Sequence, residues 1–154
     1  MEKHQAISNG KLIPSHLNKV FHISTNGKIP SFEPRVPGSV KENEDASIPR
    51  ICVGEDIKTC IKSFQHFDNI FDGYSQYCES LGLFVEFFVY QFNCTPDRPA
   101  YYPDPSLLPE VFDTNELWLL DDFDAEIVGR LIVTLDETGD KRIYRVKFVE
   151  IEKK

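Results

Sequence analysis

The sequence is short of most features that announce a function. No apolar run approaches the ~20 residues a membrane-spanning helix needs. Met1 to Asn18 lacks the continuous apolar segment of a secretory leader, so residence in the cytoplasm is the expectation. The four cysteines, Cys52, Cys60, Cys78 and Cys94, form no CxxC and no Cys/His pair at zinc-finger distance. Cys52, Cys60 and Cys78 fall on apolar faces, where a thiol behaves as a small hydrophobe, so reduced, buried cysteines and no metal are expected. There is no Walker loop, no GxGxxG, no serine nucleophile elbow and no internal repeat. Positive charge is scarce as well: 17 Lys and Arg against 25 Asp and Glu leave a net −8. Such a surface repels nucleic acid and anionic membrane, and a protein partner with a basic surface would complement it. The local basic strip Lys141-Arg142, Arg145 and Lys147 reads as a solvated strand face.

What is present suits one soluble globular body. With 154 residues, 41% hydrophobic and 27% charged, the chain is long enough for a substantial core. Twelve Phe and six Tyr supply much of that core, against a single Met and a single Trp. The spine is Pro49 to Phe64. Ile51-Cys52-Val53 is a short buried strand, Gly54 allows a tight turn, Asp56 is placed to cap a helix, and Ile57, Cys60, Ile61 and Phe64 recur on one helical face.

Around that spine, residues 1–18 show no sustained periodicity and are expected to form a flexible arm, leaving 19–154 as a single domain. Val20 to Ser24 is a strand that ends at the turn Asn26-Gly27. From Ile29 to Ser47 prolines and charges imply a loop. Ile70, Phe71, Tyr74, Tyr77, Cys78 and Leu81 have helical spacing, with Gly82 placed as a left-handed C-terminal cap. Leu83 to Phe92 is the strongest strand and should be central. Asn93 to Asp113 carries five prolines around Tyr101-Tyr102, which suits either a lid or partner-binding loop or an extended structural crossover. A strand or edge segment follows at Asn115 to Leu120. The acidic Asp121-Asp122-Phe123-Asp124 has no metal-loop spacing. Ile127 to Leu135 and Arg142 to Ile151 form a closing hairpin turned at Gly139, with Tyr144, Val146 and Phe148 on an inward face. The expected class is a compact α+β fold: a mixed, mainly antiparallel sheet, two helices after the second strand, and a C-terminal β-hairpin.

Two arginines stand beside prolines, in Pro34-Arg35-Val36-Pro37 and Pro49-Arg50-Ile51. They either anchor loops through nearby acids or line an anion pocket. His22-Ile23-Ser24 on the first strand, the 50–53 strand leading into a helix, and the later Thr114-Asn115-Glu116-Leu117-Trp118 together resemble the spaced signature of the ADP-ribosyltransferase superfamily over about residues 20–135. That resemblance implies NAD as cofactor, with His22 and Ser24 at the ribose or adenosine side and Arg35 or Arg50 on the phosphates. It further implies Glu116, with His22, as the catalytic pair, the carboxylate stabilising positive charge on the ribose as nicotinamide leaves. The resemblance is incomplete at the second strand, where Arg50, Ile51 and Cys52 stand in place of the usual Tyr, Ser or His; Tyr74, Tyr77 or Tyr101 would then have to stack on nicotinamide. The chain also resembles a group of bacterial and phage-borne proteins that share H-x-S, PR-x-P, PRIC-V and E-L-W landmarks, a likeness that implies no particular activity. The competing reading is a non-enzymatic, inhibitor-type binding module on the same scaffold, whose acidic surface and proline–tyrosine loop meet a basic protein. A hydrolase built on Cys52 or Cys60 with His66 is disfavoured, because apolar surroundings oppose the thiolate.

Overall fold

Three antiparallel sheets carry the architecture, in a computed structural model that describes residues 2–37, 44–63, 67–109, 111–138 and 141–151. Strands β1 (Leu12–Pro14), β4 (Ile51–Val53), β7 (Tyr101–Pro103) and β8 (Leu117–Leu119) form a four-stranded sheet in the order β1-β7-β8-β4. A larger sheet runs in the order β11-β10-β6-β2, from β2 (Lys19–Ser24), β6 (Gly82–Asn93), β10 (Glu126–Thr138) and β11 (Lys141–Glu150). Strand β5 (Gln76–Cys78) extends it beside β6, and β3 (Ser31–Phe32) pairs separately with β9 (Phe123–Asp124). The helices are α1 (Lys3–Ser8), α2 (Ile57–Ser63), α3 (Phe67–Tyr74) and α4 (Val111–Thr114). This is the expected α+β class, with β6 central and the C-terminal strands paired. The hairpin turn at Gly139 and the helix position Phe64 lie outside the described residues.

The two larger sheets meet at a seam. Phe21 and Gly54 exchange both backbone hydrogen bonds at 2.8 Å, joining the edge of β2 to the end of β4. Between the sheets lies one core of Val20, Ile51, Val53, Tyr90, Phe92, Leu117 and Leu119. A second core fills the far side of the small sheet with Ala6, Leu12, Ile48 and Trp118. The third lies under α2 and α3, where Cys60 and Phe71 pack on Phe87, Val89, Leu131 and Val133. Asp56 caps α2 as expected, its Oδ1 accepting from Thr59 N at 2.7 Å.

Several elements differ from the sequence reading, each for a local reason. The N-terminal segment is not a loose arm: α1 and β1 place Ala6 and Leu12 at 0% and 1% exposure, and β1 pairs with β7. Six helical residues are too few to show as periodicity. The helix read over 70–81 ends at Tyr74, and Gln76–Cys78 pairs with Phe84–Gly82. Tyr77 and Cys78 therefore belong to a strand, and Tyr77 is exposed. Gly82 does adopt φ +70°, but at a hairpin turn rather than a helix end. Residues 93–113 are a structural crossover: β7 is an internal strand between β1 and β8, and Tyr101 faces Trp118 in register. On β11, Val146 and Phe148 stand opposite the buried Val133 and Leu131 yet stay 40% and 42% exposed.

Gly54 has a different purpose from the one expected. Its φ is not positive; instead a Cβ there would lie 2.9 Å from Cys60 Sγ and 3.1 Å from Cys60 N. The residue is bare so that α2 can close against the seam. Gly54→Ala is expected to cost about 1–3 kcal/mol by overpacking, read as a lower midpoint in urea unfolding, with the m-value unchanged.

Candidate functional site

The sequence-nominated residues separate onto two faces of the β4–β8 strand pair. Arg50 and Cys52 leave β4 on one side, and Trp118, the register partner of Cys52, leaves β8 on the same side with Glu116 two residues before it. Ile51, Val53, Leu117 and Leu119 point the other way, into the core between the sheets. His22 is on that inter-sheet side, its ring edge-on to Phe32 at 5.4 Å and its strand partner being Tyr90. His22 and Glu116 therefore do not converge.

On the inter-sheet side lies a cavity of about 640 Å³ whose wall includes His22, Ser24, Lys28, Phe32 and Arg35, together with Arg50 and residues 51–52 of β4. His22 Nδ1 lies 2.9 Å from the Cys52 carbonyl oxygen on the free edge of β4. A carbonyl only accepts, so Nδ1 carries the proton, and in the neutral ring Nε2 is left as an acceptor. Burial, reinforced by the positive Arg35, holds the His22 pKa below its ordinary value, against the Cys52 hydrogen bond that raises it. The ring is neutral at pH 7. Neither Arg35 nor Lys28 has a side-chain hydrogen bond or ion pair among the described residues, and Glu33 is the acid that shares their wall.

The loop that carries Lys28 is held from below. Tyr90 Oη donates to Asn26 O at 2.7 Å and accepts from Ile29 N at 3.2 Å, while Ser24 Oγ and Asn26 Oδ1 accept from Asn26 N and Lys28 N. Tyr90, Phe32 and Lys28 are the residues that sequence reasoning passed over. Tyr90 was legible only as core, and Phe32 sat in a stretch read as loop. Phe32 is the aromatic ring at this cavity; Tyr77 and Tyr101 are elsewhere, on the β5 hairpin and beside Trp118.

Arg50 touches the same wall through β4, but its guanidinium is committed to the opposite face. Its side chain is fully buried, with Cζ 4.0 Å above the Trp118 ring. Nη2 donates to Glu44 Oε1 at 2.9 Å, Nη1 donates to the Asp45 and Ile48 carbonyls at 2.9 and 3.0 Å, and Asp45 Oδ1 is 3.8 Å away. Of the two readings open for the arginines, Arg50 is the anchor. Nε has no hydrogen-bond partner among the described residues, a cost offset by how well the other nitrogens are held.

Glu116 belongs to this cluster. Trp118 Nε1 donates to Glu116 Oε2 at 2.9 Å, and burial pushes the carboxyl up from its ordinary pKa, opposed by the Trp118 hydrogen bond and by Arg50. Burial likewise pushes the Cys52 and Cys60 thiols up to about 12. As thiols they are inert at neutral pH. The candidate partner His66 lies outside the described residues, as does the Tyr74 side chain. Cys78 differs from expectation: it is partly exposed, and a hydrogen bond with Ser80 lowers its pKa. Among the described residues no three His, Cys, Asp or Glu side chains gather as a metal site, and no helix is long and apolar enough to cross a membrane. Neither models of known protein families, nor curated proteins, nor solved structures match this chain.

Two outcomes follow from this geometry. Arg50→Lys removes the planar stack and the fork of donors while leaving Glu44 and Asp45 in place, and should cost about 3–5 kcal/mol in urea unfolding. For His22 the folded pKa lies below the unfolded one, so below its ordinary 6.5 the unfolded chain takes up the proton first. Stability should therefore fall as pH drops from about 6.5 towards the folded pKa, where the loss levels off. His22→Gln should flatten that part of the pH–stability curve.

Proposed function

We propose that the chain binds a small phosphate-bearing ligand in the His22–Arg35 cavity, and that Glu116 takes no direct part. NAD is the ligand that the ADP-ribosyltransferase resemblance implies. The observation that carries the reading is the convergence of His22, Ser24 and Arg35 on one cavity, with the Arg35 guanidinium and the Lys28 ammonium free of protein partners among the described residues. In a molecule of net charge −8, two cations facing one concavity are an investment in an anion.

Each group has a chemical role in that reading. The Arg35 guanidinium offers paired donors to phosphate oxygens, and Lys28 adds a point charge. His22 Nε2 accepts from a ribose hydroxyl, and the edge of Phe32 gives an apolar contact for a base or pyridine ring. Transfer of ADP-ribose needs a carboxylate at the ribose, and Glu116 is turned to the other face of the strand pair. Binding is therefore proposed without Glu116-assisted transfer.

Titration calorimetry with NAD, ADP-ribose and inorganic phosphate tests the reading. Arg35→Gln and Lys28→Gln should each weaken binding about tenfold, the loss of one charge-assisted contact. Glu116→Gln should leave affinity unchanged. Absence of binding by all three probes at millimolar concentration would overturn the reading, as would affinity indifferent to Arg35. Nicotinamide release that Glu116→Gln abolishes would restore the transferase.

A further inference from the structure

A second concavity of different character lies at the end of the four-stranded sheet where β8 begins. It is a groove of about 550 Å³ whose floor and walls are largely apolar, from Ile13, Tyr102, Pro103, Pro105, Val111 and Leu117. Ile13 and Tyr102 are register partners on β1 and β7, so their side chains stand side by side, 56% and 44% exposed. Two large apolar side chains held in the open by a paired edge form a shelf rather than a stray surface residue.

The charged side chains that line the groove are all acidic: Glu55, Asp104 and Glu116. Asp104 is partly offset, since Lys11 Nζ lies 3.6 Å from its Oδ2. Glu55 has no hydrogen bond or ion pair among the described residues and is exposed at the rim. Glu116 is half-buried at the start of β8, next to Asn115, the one described non-glycine residue with positive φ, at 54°. Its Oε2 holds Trp118, and Arg50 beyond the indole is already matched by Glu44 and Asp45. The groove thus joins an apolar bed to carboxylates, of which Glu55 has no side-chain partner among the described residues.

We propose that this groove docks a partner polypeptide by a lysine or arginine side chain, the alkyl stem lying on Ile13, Tyr102 and the prolines and the cationic head reaching Glu55 and Glu116. Those two side chains combine an apolar stem with a charged tip in the proportion this surface presents. Tyr102 adds an aromatic face for the cation and, with the prolines, loses little conformational freedom on binding. A neutral apolar segment would leave carboxylates facing its backbone, and an acidic one would be repelled. The inference is independent of the ligand at His22, whose cavity shares no lining residue with this groove.

The single tryptophan makes the proposal measurable, because its indole N–H is held by Glu116. The probes are three blocked pentapeptides, Ala-Leu-X-Leu-Ala, with X lysine, norleucine or glutamate. They are titrated into the full chain while Trp118 emission and amide chemical shifts are followed. Docking predicts that the lysine peptide shifts the emission and the amides of residues 102–105 and 115–117, and that norleucine and glutamate peptides bind at least ~5-fold more weakly. Tyr102→Ser and Glu55→Gln, both surface changes, should each weaken the lysine peptide several-fold, and added salt should weaken it further. Glu116→Gln is read only alongside these two, since it also disturbs Trp118. Equal binding of norleucine and lysine peptides, shifts confined to other residues, or no shift at millimolar peptide would each overturn the proposal.

Discussion

The Arg50 guanidinium, buried flat on Trp118, is the constraint on which the rest of the structure depends. A charge removed from water costs several kcal/mol unless it is paired and hydrogen-bonded, so the surroundings must supply acceptors from fixed directions. They come from Glu44, Asp45 and the Ile48 carbonyl, all on the approach to β4. One side chain therefore folds residues 44–50 around itself. Its backbone also pairs with Arg35, which ties the Pro34–Pro37 segment to the same strand. On the other side of the indole, Glu116 accepts from Nε1 and sets where β8 begins. The PRIC-V and E-L-W landmarks thus meet in one buried contact, which PR-x-P joins through the Arg35–Arg50 backbone pair.

That contact also explains which side of the chemistry was legible. Strand β6, the β4–α2 turn and the closing β-strands show in the sequence because burial imposes a period on them. The 70–81 stretch misleads because Tyr74, Tyr77, Cys78 and Leu81 satisfy a helical spacing while three of them belong to a hairpin around Gly82; only the neighbouring strand β6 decides between the two. Val146 and Phe148 share the face of the buried Val133 and Leu131, as their alternation implies, yet stay partly exposed. Spacing cannot encode that.

At the candidate site, three nominated residues, His22, Ser24 and Arg35, do meet, and their meeting follows from a local fact. His22 must satisfy the Cys52 carbonyl on the free edge of β4, which fixes the ring beside the strand that Arg35 also joins. Lys28 could not be singled out, because its position rests on Tyr90 gripping the backbone of Asn26 and Ile29. Glu116 was nominated by its place in the chain, and the side of the sheet on which it emerges is a matter of parity. A shift of one residue in β8 would turn it to the other face.

Parity has a consequence for any catalytic reading. A carboxylate stabilises a forming oxocarbenium ion only when it sits beside the sugar, in a site from which water is excluded. Glu116 is held at Trp118 on the other face of the strand pair, away from the cavity beside His22. The cavity by contrast is lined by Arg35 and Lys28, neither with a side-chain partner among the described residues, together with Glu33 and a neutral imidazole. The division of labour is then physical: the buried Arg50 is matched by Glu44 and Asp45, the groove where β8 begins presents carboxylates, and the cavity beside His22 carries Arg35 and Lys28.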